Sequence, residues 1–402
     1  MCLLSFLGTG KTSTVIELIL QLLQRDARIL VCCPSNTAVD TILQRLVTTS
    51  IDSNHRKVLP VRLGHPARIQ SNILHYSLDS LIVEDEGTEI VRDIRTDIDK
   101  LLKNLSSGKD VLKRKELRSE LRELRKEVKQ RESKVVHSIL HHRNVVLCTN
   151  IGAGHRLLQD VEFDAVIIDE AAQALEASCW IPILHSPRVY MFGDHQQLPP
   201  TIKSKEAASK GLSTTLFERI MTSERMRAAS RMLNIQYRMN RVIADWASLT
   251  SYDGKLISDS SVAEHTISDL SPEFTQQLED LGSCPMLLID TTGCNMEEES
   301  SDGQSHRNIM EATIVHHHVV NLLDLGLKQE HIGVITPYNG QLEMLRSLLS
   351  EQCPQVDIRT VDGFQGGEKE GGYFIHIRCA LTTHSSHILS LPSYHPIVGT
   401  LQ

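Results

Sequence analysis

Residues 3–19, LLSFLGTGKTSTVIELI, hold a Gly-Thr-Gly-Lys-Thr run followed directly by a helical pattern. In the phosphate-loop pattern G-x-x-x-x-G-K-[ST], successive backbone N–H groups surround phosphate at the N-terminus of a helix. Gly10, Lys11 and Thr12 complete that pattern, Gly8 avoids Cβ crowding where the chain turns back, and Ser5 stands at the first glycine position. The candidate nucleotide-binding residues are therefore Gly8, Thr9, Gly10, Lys11, Thr12 and Ser13, on an amphipathic helix expected over residues 12–25.

A phosphate loop opens a parallel sheet, and the chain supplies the strands. ARILVCCPSN (27–36), NVVLCTN (144–150), FDAVIIDEA (163–171), RVYMFGD (188–194), PMLLID (285–290) and IGVITPYN (332–339) are short apolar runs ending in polar residues. Such runs suit strands buried on both faces, with helices such as 38–47 between them, so the fold is α/β. At the carboxyl end of one run stand Asp169 and Glu170, where parallel sheets bind ligands. Hydrolysis needs both a magnesium ligand and a group that positions water. Asp169, through water and together with the Thr12 hydroxyl, is the candidate Mg²⁺ holder; Glu170 is the candidate for orienting the attacking water.

The chain has 402 residues, 41% of them apolar, and a net charge of −8, which lowers the prospect of nucleic-acid binding without excluding a locally suited groove. Nine cysteines without a CxxC pair suggest neither a zinc site nor a disulfide framework. No apolar run reaches the roughly 18 residues of a membrane span, so a soluble, intracellular protein without membrane partners is expected. Residues 84–142 are densely charged, and Leu117, Leu121, Leu124, Val128 and Val135 keep a four-three spacing. They read as a helical hairpin with a solvated, salt-bridged face, its first helix about 88–105 and its turn at 106–110. The polar residues 258–310 read as a mobile loop. VHHHVV (315–320) lacks metal-ligand spacing, and Cys32, Cys33, Cys148, Cys179, Met226, Met232 and Met239 read as core.

The order of DEAAQ (169–173), GDHQQLPP (193–200), NIQYRMN (234–240), ITPYNGQ (335–341) and TVDGFQGGEKE (360–370) resembles the superfamily 1 helicases of the Up-frameshift type. RLGHPARI (62–69) and residues 169–184 narrow the likeness to the immunoglobulin mu-binding-protein-like branch, ATP-dependent helicases acting 5′ to 3′ on RNA and DNA. The resemblance implies two RecA-like domains, 1–205 carrying the hairpin and 206–402 with an atypical tail from 371, working as a monomer in cytoplasm or nucleus. It implies ATP and Mg²⁺ as cofactors, Gln197 sensing the γ-phosphate, Arg238 stabilising its charge, Tyr237 stacking on the base and Glu368 contacting the nucleotide. Single-stranded RNA or DNA would meet Pro34, Ser35, Asn36, Thr149, Thr336, Pro337, Tyr338, Thr360 and Val361, in sequence-blind contacts that need few lysines.

The chain departs from the family at Ser5-Phe6-Leu7, where the family has Gly-Pro-Pro, at Gly367, and after Glu370, where a second arginine motif is expected. The family's upstream adenine-recognising glutamine and small β-barrel are expected to be missing. A truncated or mis-joined product is one expectation, and with it an alternative function: an impaired module that binds nucleotide and strand without coupling them.

Overall fold

The computed structural model describes residues 2–5, 8–52, 58–85, 87–107, 111–266, 269, 285–287, 289–291, 293–301, 305–364, 372–376 and 399–401. Packing divides the chain into two units, one of Met1–Leu4 with Lys11–Met232, the other of Ser5–Gly10 with Leu233–Gln402.

The first unit is built on strands β1 (Cys2–Ser5), β2 (Ile29–Cys33), β3 (Pro60–Arg62), β4 (Val145–Thr149), β5 (Ala165–Ile168), β6 (Val189–Gly193) and β7 (Ser230–Leu233), in the spatial order β3-β4-β2-β5-β6-β1-β7. From β3 through β1 every pairing is parallel. Every residue of β2 and β5 is buried, as their uninterrupted Ile/Leu/Val/Cys runs require when helices cover both faces. Short as it is, β1 lies in register with β6, Leu3 opposite Phe192 and Leu4 opposite Gly193.

Helix α1 (Lys11–Gln24) turns Val15, Ile16, Ile19, Leu20, Leu22 and Leu23 onto the sheet, and α2 (Asn36–Asp52) does the same with Val39, Ile42, Leu43 and Leu46. Past α3 (Leu78–Glu84), the hairpin pairs α4 (Gly87–Ser107) with α5 (Val111–His142). Its seam buries Val91, Leu121 and Val135, and its outer face carries exposed pairs such as Arg95–Glu132 and Arg131–Glu127. Part of the expected turn, 108–110, lies outside the described residues.

After α6 (Glu176–Ile183), the first unit runs on past the expected boundary at 205–206. The helix Leu216–Thr222 buries Leu216 and Phe217, Thr215 caps it by accepting the Glu218 N–H, and Arg219 pairs with Glu176 of α6. These contacts tie residues 215–222 to the first unit.

In the second unit, Ile332–Thr336 pairs parallel with Asp357–Thr360 and with Gly372–His376, which pairs antiparallel with Gly399–Leu401. The helices Ile309–Asp324 and Asn339–Leu349 supply Ala312, Val315, Val319, Leu322, Leu345 and Leu349 to a core with Ile332, Val334 and Ile358. Three expectations change here. PMLLID shows a single bridge residue, Met286, where a full strand is expected: Leu287 packs on this core, Ile289 is exposed, and Leu288 lies outside the described residues. The stretch read as a loop holds an antiparallel hairpin, Glu299–Ser301 with Ser305–Arg307. Met239 is core, but Met232 is half-buried and Met226, on a four-residue helix, is 44% exposed. No helix among the described residues is long and apolar enough to cross a membrane.

Candidate functional site

The parallel ladders bring several chain ends to one edge of the first sheet. Beyond the strands the pattern continues, with the Asp169 N–H donating to the Cys32 carbonyl and the Asn150 N–H to that of Cys33, both at 2.9 Å. Asp169, Glu170, Asn150 and residues 34–36 therefore emerge side by side, where ligands enter parallel sheets.

Lys11, the first residue of α1, points its ammonium into this edge. Its Nζ hydrogen-bonds Oε1 of Glu170 and lies 4.0 Å from Oδ1 of Asp169. Burial alone would lower the Lys11 pKa, but Asp169, Glu170 and Asp194 outweigh it, so its pKa ends above the ordinary lysine value. Burial pushes the Asp169 carboxyl up to about 6, against the pull of Lys11 and with Glu170 adding to the rise. Glu170 itself is left-handed, φ 53°, a conformation that costs a non-glycine residue about 1–3 kcal/mol and clusters at functional sites. Gln173 Nε2 fixes its second oxygen at 2.8 Å.

Behind this cluster Asp194, buried, accepts the Gln197 side-chain amide at 2.7 Å and the Gln196 N–H at 3.0 Å. Gly193 makes the crossing of β6 and the DEAA segment possible: a Cβ there would lie 2.9 Å from the Ala172 backbone nitrogen. Thr12 is half-buried and Ser13 exposed on α1, and Thr9 is buried. Gly8 and Gly10 both have φ +74°, which side chains rarely adopt. Within the second unit, where Ser5–Gly10 belong, the Gly8 carbonyl accepts the Tyr237 N–H at 2.8 Å.

The donor set fits nucleotide and magnesium. An ammonium at a helix N-terminus, a hydroxyl beside it and two carboxylates at a strand end are the groups that phosphate and Mg²⁺ require.

In the second unit the QYRM turn is built on Gln236, fully buried, which sequence reasoning passed over. Its Oε1 accepts the N–H groups of Arg238 (2.8 Å) and Met239 (2.7 Å), and its Nε2 donates to Ser258 Oγ at 2.8 Å. Tyr237 is left 50% exposed and Arg238 half-buried. Glu368 lies outside the described residues.

Residues expected to meet a strand divide into exposed and occupied. Ser35 is exposed and caps α2 by accepting the Ala38 N–H at 3.2 Å; Pro34 is half-buried and Pro337 exposed. The Thr149 hydroxyl accepts the Gly152 N–H at 3.1 Å, and the Thr360 hydroxyl the Gly363 N–H at 3.2 Å, with Val361 half-buried beside it. Thr336 is fully buried, its hydroxyl turned to the Tyr338 N–H at 3.4 Å, so its side chain faces the protein.

Asn36 has its carbonyl oxygen taken at 2.9 Å by Arg62, which the sequence reading quoted in RLGHPARI but gave no role. Arg62 is 0% exposed and also donates to Asp40 Oδ1 (2.9 Å) and to the Leu63 carbonyl. An arginine inside the apolar run LPVRLG was the signal available. Asn150 was missed as well; it is buried with both side-chain polar atoms unpartnered among the described residues. A buried amide at a ligand-binding edge without partners is one of the few tolerated exceptions to hydrogen-bond satisfaction.

Two family models, each described as an AAA domain, match residues 5–205 and 212–385. The chain belongs to the superfamily 1 AAA-domain helicases of the Up-frameshift type. Among helicases of this family, DNA-binding protein SMUBP-2 of Mus musculus is 43% identical over 376 residues, 92% of this chain. DNA polymerase alpha-associated DNA helicase A of Schizosaccharomyces pombe is 41% identical over 377 residues, again 92% of this chain. A regulator of nonsense transcripts 1 homolog of Neurospora crassa is 31% identical over 390 residues, 95% of this chain. The chain spans 37%, 55% and 33% of those relatives' own lengths.

Proposed function

We propose that this chain couples ATP hydrolysis to 5′-to-3′ movement on single-stranded RNA or DNA, as a monomer working in cytoplasm or nucleus. The observation that carries the reading is the cluster of Lys11, Asp169 and Glu170 at the sheet edge, backed by Asp194 and Gln197. Bound Mg²⁺ and ATP supply the transferable phosphoryl group and the charge that this cluster is built to meet. Gly8, Thr9, Gly10 and Ser13 offer backbone and hydroxyl donors to phosphate, and Thr12 and Asp169 hold the metal.

Lys11 now occupies Oε1 of Glu170. Once turned toward a phosphate, it leaves that oxygen as an open acceptor for the proton of an attacking water, while Gln173 keeps the other oxygen in place. Gln197, through Asp194, reports the phosphate state, and Arg238 supplies a guanidinium for phosphate charge. Tyr237 and Glu368 complete the nucleotide contacts.

On the strand side, Arg62 takes the Asn36 carbonyl and so leaves the Asn36 amide hydrogens as donors for a phosphate oxygen. The strand contacts are Pro34, Ser35 and Thr149 on the first unit and Pro337, Thr360 and Val361 on the second, where Thr336 shapes the loop from within and Tyr338 offers a stacking face. Binding of a fluorescent ATP analogue tests the nucleotide half: Lys11→Ala should abolish it and magnesium removal should weaken it. Equal binding by wild type and Lys11→Ala would contradict the assignment.

A further inference from the structure

The second unit holds a cluster that these roles leave unused. The hairpin Glu299–Ser301 and Ser305–Arg307 rests on the start of the helix Asn339–Leu349. Ser305 Oγ accepts the Gly340 N–H at 2.7 Å, and the Asn308 N–H donates to Gln341 Oε1 at 2.7 Å. A side chain at position 340 would come within 3.1 Å of the His306 carbonyl oxygen, so the hairpin's close approach is one that any Cβ there would crowd.

The approach sets the His306 ring against Tyr338, centroids 5.0 Å apart and planes at 69°, the edge-to-face arrangement aromatic pairs prefer. On its other side the His306 Nδ1 meets the carboxylate of Glu298, whose side chain is 8% exposed, while His306 keeps 35% of its side chain open. The second Glu298 oxygen has no hydrogen-bond partner among the described residues. The Glu298 carboxylate thus packs against the imidazole, although Nδ1 makes no aligned hydrogen bond among the described residues, while the partly open ring stands against the half-buried Tyr338.

We propose that His306 and Tyr338 together form a two-ring site that takes one base of a single strand, with Glu298 packed against the first ring. Tyr338 offers the face on which the base stacks, and His306, nearly perpendicular to it, closes one side of that platform. The site reads no base edge, so it is indifferent to sequence. This inference rests on the strand-binding role proposed above for Tyr338.

The test is the affinity of the full chain for fluorescein-labelled oligo-dT and oligo-U by anisotropy, at one salt concentration. His306→Ala and His306→Gln should each weaken binding roughly three- to tenfold. In a Tyr338→Ala background, His306→Ala should add less than about twofold, because the platform it closes is already gone. Tyr338→Ala weakening binding while His306→Ala and His306→Gln do not would overturn the two-ring site and leave the strand-binding role standing. Neither position affecting binding would overturn both. Full additivity of the two substitutions would also refute the site, since it would make His306 an independent contact.

Discussion

Arg62→Met removes the guanidinium from a fully buried pair and leaves Asp40, 2% exposed, without its charge partner. Asp40 then keeps a single neutral donor, the Gln70 N–H at 3.1 Å, while Asn36 and the Leu63 carbonyl each lose a charged donor. Breaking a buried pair from one side costs about 3–5 kcal/mol, because the remaining charge is desolvated and uncompensated. For a unit of this size each kcal/mol moves the melting midpoint by about 2–4 °C, so the first unit should melt roughly 6–20 °C earlier. Removing both charges in Arg62→Met/Asp40→Leu should recover most of the loss, less about 1 kcal/mol for the Gln70 N–H left without an acceptor. Circular dichroism melts of wild type, Arg62→Met, Asp40→Leu and the double variant decide it. A shift under about 2 °C for the single variant, or a double variant as unstable as the summed singles, would refute the claim that this pair is a closed buried network. Strand affinity adds a second readout, since Asn36 loses its orienting donor and should bind less well even at temperatures where the variant is folded.

Other consequences follow from the same coordinates. Gly193→Ala forces a methyl against the Ala172 backbone, so it should displace the DEAA segment and cut ATP turnover at least tenfold; steady-state ATPase measures this, and unchanged turnover would contradict the close crossing. Phe217→Ala should cost about 3–5 kcal/mol in urea denaturation, because its side chain is fully buried in the first unit. Asp169 titrates near 6 when folded and near 3.8 when unfolded, so between these values the folded state holds the extra proton and stability falls as pH rises. In melts of the nucleotide-free protein from pH 4 to 7, Asp169→Asn should therefore gain on wild type as pH rises toward 6 and hold that gain above it; a gap that shrinks over that range would reverse the assigned sign.

What could be read from the sequence follows the physics of each element. Val166–Ile168 and Leu30–Cys32 are strands on both faces of which helices pack, so apolarity without period marks them correctly. At PMLLID the same signal overstates the strand, because a run of apolar residues does not say how far a pairing extends, and among the described residues it is the bridge at Met286. The hairpin carrying His306 is built from polar residues held by Gly340, Gln341 and Glu298, contacts between positions far apart in the chain with no periodic trace. Lys11, Asp169 and Glu170, which the structure brings together, stand out in the sequence because phosphate and metal chemistry demands fixed residue types, whereas Arg62 and Gln236 act by holding backbone and neighbours, work that an arginine or glutamine does not advertise. The Thr336 hydroxyl shows the converse: a residue marked for the strand turns its side chain into the protein.

The central claim is that strand binding and ATP hydrolysis are coupled through the Lys11–Glu170 cluster. Its most direct test is phosphate release by the full chain with and without single-stranded RNA or DNA, beside Lys11→Ala and Glu170→Gln. The account predicts turnover that rises with the strand and falls in both variants, by about 10²–10⁴ for Glu170→Gln, while Glu170→Gln still binds nucleotide. Turnover indifferent to nucleic acid, or strand binding with no turnover at all, would contradict it.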